Sequence, residues 1–192
     1  MSVESEPPPE SGAAAGTTGR QLDFRPGLEM QWEITRSTAD TGGELFEATN
    51  WLDAQMGGPP PHVHPTAEES YEVIEGTLDV CLDGEWRTVR AGETAIAPAG
   101  VPHTLRNATT EQVRLVNIHR PALEFESFFR EMHSLIQQGK IKRLPPKEPR
   151  SAIYAAMLFA KYPNEIRVTK PPNAVFKALA LVGRALRFKL EP

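Results

Sequence analysis

The sequence has a single cysteine, Cys81, so no intrachain disulfide can form. That fits a reducing compartment and a cytoplasmic location. At Cys81 a small buried hydrophobe on a strand is the expected role, not a reactive thiol. No run of about 18 apolar residues occurs, so no convincing transmembrane helix is expected. Residues 1–20 lack the basic start and apolar centre of a secretory leader. Their prolines, alanines and glutamates cannot bury a core, and this N-terminal segment is expected to be disordered. Helical periodicity is also scarce before Pro121.

What the chain does have is enough length, 192 residues, for one cored domain with extensions. Its net charge of −4 hides an asymmetry. Residues 1–120 hold 8 Lys and Arg against 19 Asp and Glu, whereas 121–192 hold 13 against 6. An acidic body is therefore followed by a basic tail, which could pack on that body or meet another polyanionic surface.

From about residue 21 to 120, short β-patterned runs alternate with Gly, Pro, Asn and Asp. They are Met30–Thr35, Glu44–Leu52, Ser70–Ile74, Thr77–Leu82, Trp86–Arg90, Thr94–Ala97, His103–Asn107 and Val113–His119. Closely spaced strands with almost no helical pattern between them predict an all-β sandwich or barrel domain over 21–120. After Pro121 the period changes. Phe125, Phe128, Phe129, Met132, Leu135 and Ile136 share one face of a helix over Leu123–Gln138, which Gly139 stops. A Pro-rich link leads to a second helix, Ser151–Tyr162, and Asn173 is placed as the N-cap of a third, Ala174–Leu190. Residues 121–192 thus form a helical C-terminal extension.

Two histidines two apart on a strand, His62 and His64, point into one space. Five residues beyond His64, Glu69 opens the next run, with Tyr71 and Val73 on its face. His103 begins another strand after the turn at Pro98 and Gly100. Three neutral imidazoles and a carboxylate form a mixed nitrogen and oxygen site suited to a divalent transition metal: Fe, Mn, Ni, Co, Cu or Zn.

These segments resemble the cupin superfamily, whose motifs are G-x5-H-x-H-x3/4-E-x6-G and G-x5-P-x-G-x2-H-x3-N. The first is matched by His62, His64, Glu69 and Gly76, although its leading glycine falls on Met56, one residue before Gly57. The second is matched throughout by Gly92, Pro98, Gly100, His103 and Asn107. Glu69, not Glu68, keeps the spacing to Gly76. The resemblance covers roughly residues 40–120 and implies an antiparallel jelly-roll β-barrel holding a metal at His62, His64, Glu69 and His103. It also implies a homodimer.

The chain looks like the single-domain, quercetinase-like cupin dioxygenases of bacteria, so a metal-dependent oxygenase acting on a small aromatic or enol-bearing substrate is one expectation. Glu69 would act there as general base. A non-oxidative isomerase, lyase or cyclase, and a non-catalytic binding module, remain alternatives, because the fold does not fix the reaction. Candidate pocket residues are Phe46, Trp51, Tyr71, Val73, Leu105, Asn117 and His119. His119 reads either as a pocket group or as a hydrogen-bonded strand end. No helix-turn-helix pattern is present, so no nucleic-acid partner is expected. The last helix, apolar with a basic stripe, reads either as a peripheral membrane contact or as a helix packed on the barrel or a partner subunit.

Overall fold

The computed structural model describes residues 19–190 apart from Pro26. Of the segment expected to be disordered, all but Gly19 and Arg20 lies outside the described residues.

Strands β1 (Gln21–Asp23), β2 (Met30–Arg36), β3 (Phe46–Leu52), β4 (His62–Val63), β5 (Glu68–Glu75) and β6 (Thr77–Leu82) come first. They are followed by β7 (Glu85–Arg90), β8 (Thr94–Ala97), β9 (His103–Arg106) and β10 (Val113–Arg120). Helices α1 (Phe125–Gln137) and α2 (Pro149–Lys161), strand β11 (Arg167–Val168) and helix α3 (Asn173–Ala185) complete the order. The strands build two antiparallel sheets, one ordered β1-β2-β3-β10-β5-β8 and the other β11-β4-β9-β6-β7. No ladder joins the edges of one sheet to those of the other among the described residues, so the strands form two sheets and not a closed ring.

Side-chain alternation explains which face each strand buries. On β3, Phe46, Ala48, Asn50 and Leu52 point inward, and on β10 Val113, Leu115, Asn117 and His119 do so. The β6–β7 hairpin turns at Asp83 and Gly84, both at positive φ, as a two-residue turn matching strand twist requires. Cys81, expected to be buried, is only half-buried on β6.

Helix α1 presents Phe125, Phe128, Phe129, Met132, Leu135 and Ile136 to the six-stranded sheet, all buried. The Phe129 ring lies 4.2 Å from Trp32 and 6.0 Å from Phe46. Burying each such side chain is worth about 1.5–3 kcal/mol, so packing, more than helix propensity, holds α1 in place. Gly139, at φ +66°, ends the turn that follows the helix. His133, which the helix pattern puts on the polar side, is half-buried with its ring edge-on to Phe24 at 5.8 Å.

Helix α2 starts with Pro149, whose missing N–H costs nothing in the first turn. Asn173 does not cap α3: it is the first helical residue, and Pro172 precedes it as the cap. Between α2 and α3, β11 crosses back to pair with β4, placing Val168 opposite His62. That two-residue strand carries no alternation long enough to be read from sequence. No helix among the described residues is long and apolar enough to cross a membrane.

Candidate metal centre

His62 sits on β4, directly opposite His103 at the start of β9. His64 directly follows β4, and Glu69 faces them from β5 in the other sheet, so the four side chains meet between the sheets. All four are buried, and one ligand atom from each lies within 4.8 Å of every other. Glu68 is exposed.

The backbone fixes which nitrogen each ring offers. Nδ1 of His62 lies 2.9 Å from the Pro60 carbonyl, Nδ1 of His103 2.8 Å from that of Val101, and Nδ1 of His64 2.5 Å from that of Glu165. A carbonyl only accepts, so each Nδ1 carries the hydrogen and each Nε2 is left with a lone pair. Yet Nε2 of His64 and of His103 stand 2.8 and 2.9 Å from the same carboxylate oxygen, Glu69 Oε2. Acceptors at that range repel unless a proton or a cation lies among them. Cis ligands on an ion with bonds of about 2.1 Å are separated by about 3 Å, so the spacing fits one divalent ion serving all four groups.

The other carboxylate oxygen is held from behind. Asn117 Nδ2 donates to Glu69 Oε1 at 2.8 Å, and His119 Nε2 lies 3.3 Å from the same atom. Asn117 and His119 alternate along β10, opposite Tyr71 and Glu69 of β5, which is why both reach that oxygen. His119 is fully buried, and neither ring nitrogen has a hydrogen bond of good geometry. It is therefore not a hydrogen-bonded strand end but a ring set 4.0 Å from Phe125, on the wall of the site.

Burial, reinforced by the neighbouring His64 and His103, pushes His62 down to about 3. Burial also pushes His119 down to about 3, against the attraction of Glu69. For Glu69 burial opposes ionisation, but the surrounding imidazoles, His119 foremost, outweigh it and hold the carboxyl well below the usual carboxylate range. Burial works against protonation of His103 too, but its hydrogen bond to Glu69 prevails and moves it up. In metal-stripped protein His62 and His119 have folded values below the unfolded value of about 6.5. Their contribution to stability is complete above that pH and falls away as pH drops from 6.5 toward 3. Glu69 acts in the same direction at lower pH. His103 opposes them: its contribution is present below 6.5 and lost as pH rises through its folded value. Two rings against one predict a loss of a few kcal/mol between pH 7.5 and 5, or a melting temperature roughly 5–10 °C lower. Melting curves of chelator-treated protein that coincide at the two pH values would show that the rings are not held neutral.

The centre opens on an apolar cavity of about 80 Å³. Of the candidate pocket residues, Tyr71, Leu105, Asn117 and His119 line it, and Phe46, Trp51 and Val73 do not. Trp51 lies on the outer face of β3. Val73 faces inward but lies beside Leu115, away from the cavity and within the packed core. Phe46 is behind the wall, stacked on Phe129. Much of the lining comes from the extension instead: Phe128, Phe129 and Met132 of α1, Phe159 of α2, and Ile166 and Val168 around β11. The α1 residues could have been found, since their face was legible and only needed placing over the sheets. Nothing in the sequence signals that Phe159, Val168 or the Glu165 carbonyl returns to the site.

Residues 52–119 match the family model described as "Cupin domain". Part of the chain is 42% identical over 55 residues to Polyketide synthase CurC of Streptomyces cyaneus, covering 29% of this chain and 36% of that protein. It is 36% identical over 75 residues to quercetin 2,3-dioxygenase of Bacillus subtilis, covering 39% of this chain and 22% of that one. An RmlC-like cupin structure from Shewanella frigidimarina aligns with a TM-score of 0.48 at 22% identity, covering 61% of this chain and 96% of that one. The chain thus spans about a third or less of the two curated relatives. The histidine and glutamate cluster, held between antiparallel sheets, lies within the segment that matches this cupin domain model.

Proposed function

We propose that this cupin is a metal-dependent dioxygenase of small, largely apolar molecules bearing an enol or phenol hydroxyl, its strands forming the family's jelly-roll barrel. The observation that carries the reading is the convergence of three Nε2 lone pairs and one carboxylate oxygen at the end of an apolar cavity. A divalent ion bound there would supply Lewis acidity toward a substrate oxygen. His62, His64, His103 and Glu69 Oε2 would hold it. Asn117 keeps the carboxylate turned so that Oε2, not Oε1, faces the three imidazoles. The Phe128, Phe129, Met132 and Phe159 side chains exclude water and bind the apolar body of the substrate. Glu69 takes the hydroxyl proton. A carboxyl held below its ordinary range is a weak base, which suits an enol or phenol better than an unactivated C–H. Dioxygenation places both oxygen atoms in the product, so it needs no separate reductant.

Cavity size narrows the class. A pocket of roughly 150 Å³ takes one benzene ring, and this one is about half that. That size favours substrates of a single ring or smaller, admitted by modest movement of the α1 and α2 walls, over larger multi-ring molecules. The similarity to CurC, whose name is that of a polyketide synthase, favours a second reading, a non-oxidative cyclase or isomerase using the same groups. An oxygen electrode with a panel of monocyclic phenols and enolisable dicarbonyls separates the two. Turnover that consumes one O2 per product and stops under argon is expected. Equal turnover under argon assigns the cyclase or isomerase reading. A ligand-induced rise in melting temperature without any turnover assigns a binding module.

A further inference from the structure

Among the described residues, helix α3 touches the rest of the molecule along one narrow side. Ala180 and Gly183 are buried against Ile153 and Met157 of α2, and Phe176 and Leu179 flank them. A Cβ on Gly183 would come within 2.5 Å of the Met157 sulfur, so the helices sit close there and the opposite face is fixed outward. On that face Leu181 and Leu186 are 62% and 60% exposed, and Val175 and Val182 are also exposed. The left-handed Arg187 then reverses the chain, and Phe188 N–H bonds to the Gly183 carbonyl, returning Phe188 to α2.

Charge says what could cover this face. From Ile166 to Leu190 there is no Asp or Glu, but there are six cations: Arg167, Lys170, Lys177, Arg184, Arg187 and Lys189. Helix α2, on which α3 rests, has no acidic residue either. Lys177 and Arg184, seven apart, run as a stripe beside the apolar face. A second copy packed symmetrically here would bring both such stripes together, like charge against like. Four apolar side chains, three on the 13-residue helix and Leu186 at its C-cap, also make a small patch against the roughly 800 Å² per partner that a stable interface buries. An anionic bilayer has neither difficulty: acyl chains receive the valines and leucines while headgroups meet the lysines and arginines.

We propose that α3 is a peripheral docking element for anionic membranes, inserting Val175, Leu181, Val182 and Leu186 at the headgroup level. It packs on α2, and none of these four side chains lines the cavity of the metal centre.

The test is co-sedimentation of the full chain with vesicles of phosphatidylcholine alone and of phosphatidylcholine with 30% phosphatidylglycerol, roughly the anionic content that gives a surface potential of tens of millivolts. Pelleting at least about tenfold greater with the anionic vesicles is expected, together with release at high salt. Lys177→Glu/Arg184→Glu should weaken it by more than about tenfold, since each basic side chain near such a surface is worth about fivefold. Leu181→Glu/Leu186→Glu should bring it to the neutral-vesicle level. All four positions are exposed, so melting curves should match wild type. Absence of pelleting with anionic vesicles overturns the proposal, as does pelleting that neither double variant changes. A dimer in solution that Leu181→Glu/Leu186→Glu dissociates, without lipid binding, overturns it in favour of a second copy of the chain.

Discussion

Protein purified without added metal is expected to carry close to one transition-metal ion per chain, and the His62→Ala/His103→Ala double variant to carry none. The two rings face each other across the β4–β9 ladder, each with its Nδ1 tied to a carbonyl of its own segment. Removing only an outer hydrogen-bond partner of a metal ligand typically costs 10–100-fold in affinity. Deleting two ligands outright should exceed about 1,000-fold, which takes the protein from stoichiometric to empty under any ordinary purification. The fold should survive, because the two rings belong to the site and not to the large apolar cluster that joins the sheets and α1. Elemental analysis beside circular dichroism reads both outcomes. Wild type without metal, and indistinguishable from the double variant in a chelator competition, would sink the assignment of these residues as ligands. A single Glu69→Gln exchange separates charge from shape. It keeps an oxygen near the cluster and a group for Asn117 to meet, but removes the negative charge, so binding should weaken without the site collapsing.

The metal cluster was legible because it is local and periodic. His62 and His64 share a strand face and Glu69 opens the next strand, while the resemblance to the two cupin motifs added His103, which follows a Pro-Gly turn, and favoured Glu69 over Glu68. The sheets were legible for the same reason, since Phe46, Ala48, Asn50 and Leu52 alternate with outward residues in a period of two. What could not be read was the return of the tail. The Glu165 carbonyl reaches His64 across 101 positions of sequence, and Val168 pairs with His62 through a strand of two residues. Neither contact has a local pattern, and the carbonyl is a backbone group that every residue carries. The pocket choices erred for a related reason. Inward orientation was correct for Phe46 and Val73, but how deep along the strand the cavity extends is set by α1, which displaces them from its lining. Trp51 failed on orientation itself, for it alternates outward.

The loop before the first histidine holds a second large effect, and here the glycine that matters is one the family pattern does not name. Gly58→Ala is expected to lower stability by at least about 3 kcal/mol, which for a chain this size means a fall of roughly 6–12 °C in melting temperature. Gly58 has φ +81°, a conformation that costs an L-residue about 1–2 kcal/mol. An added Cβ would in addition clash with the Leu105 carbonyl oxygen, a backbone atom of β9 that has no rotamer to escape into. The loop must therefore lift off β9. It is pinned there by Thr104 Oγ1 donating to the Pro59 carbonyl at 2.6 Å and by Asn107 N–H donating to the Met56 carbonyl at 3.0 Å. The next carbonyl along, Pro60, is the one that orients His62. Displacing it frees the ring to turn, so metal affinity should fall by about 10–100-fold along with stability. Gly57→Ala is the control: nothing lies within 4 Å of its added Cβ, and its effect should stay within about 0.5 kcal/mol. Met56, where the family pattern expects glycine, is a buried core side chain. In this chain the left-handed residue is Gly58, where the loop passes the β9 backbone. Equal melting temperatures for Gly57→Ala and Gly58→Ala would show that this close approach does not hold the first histidine in place.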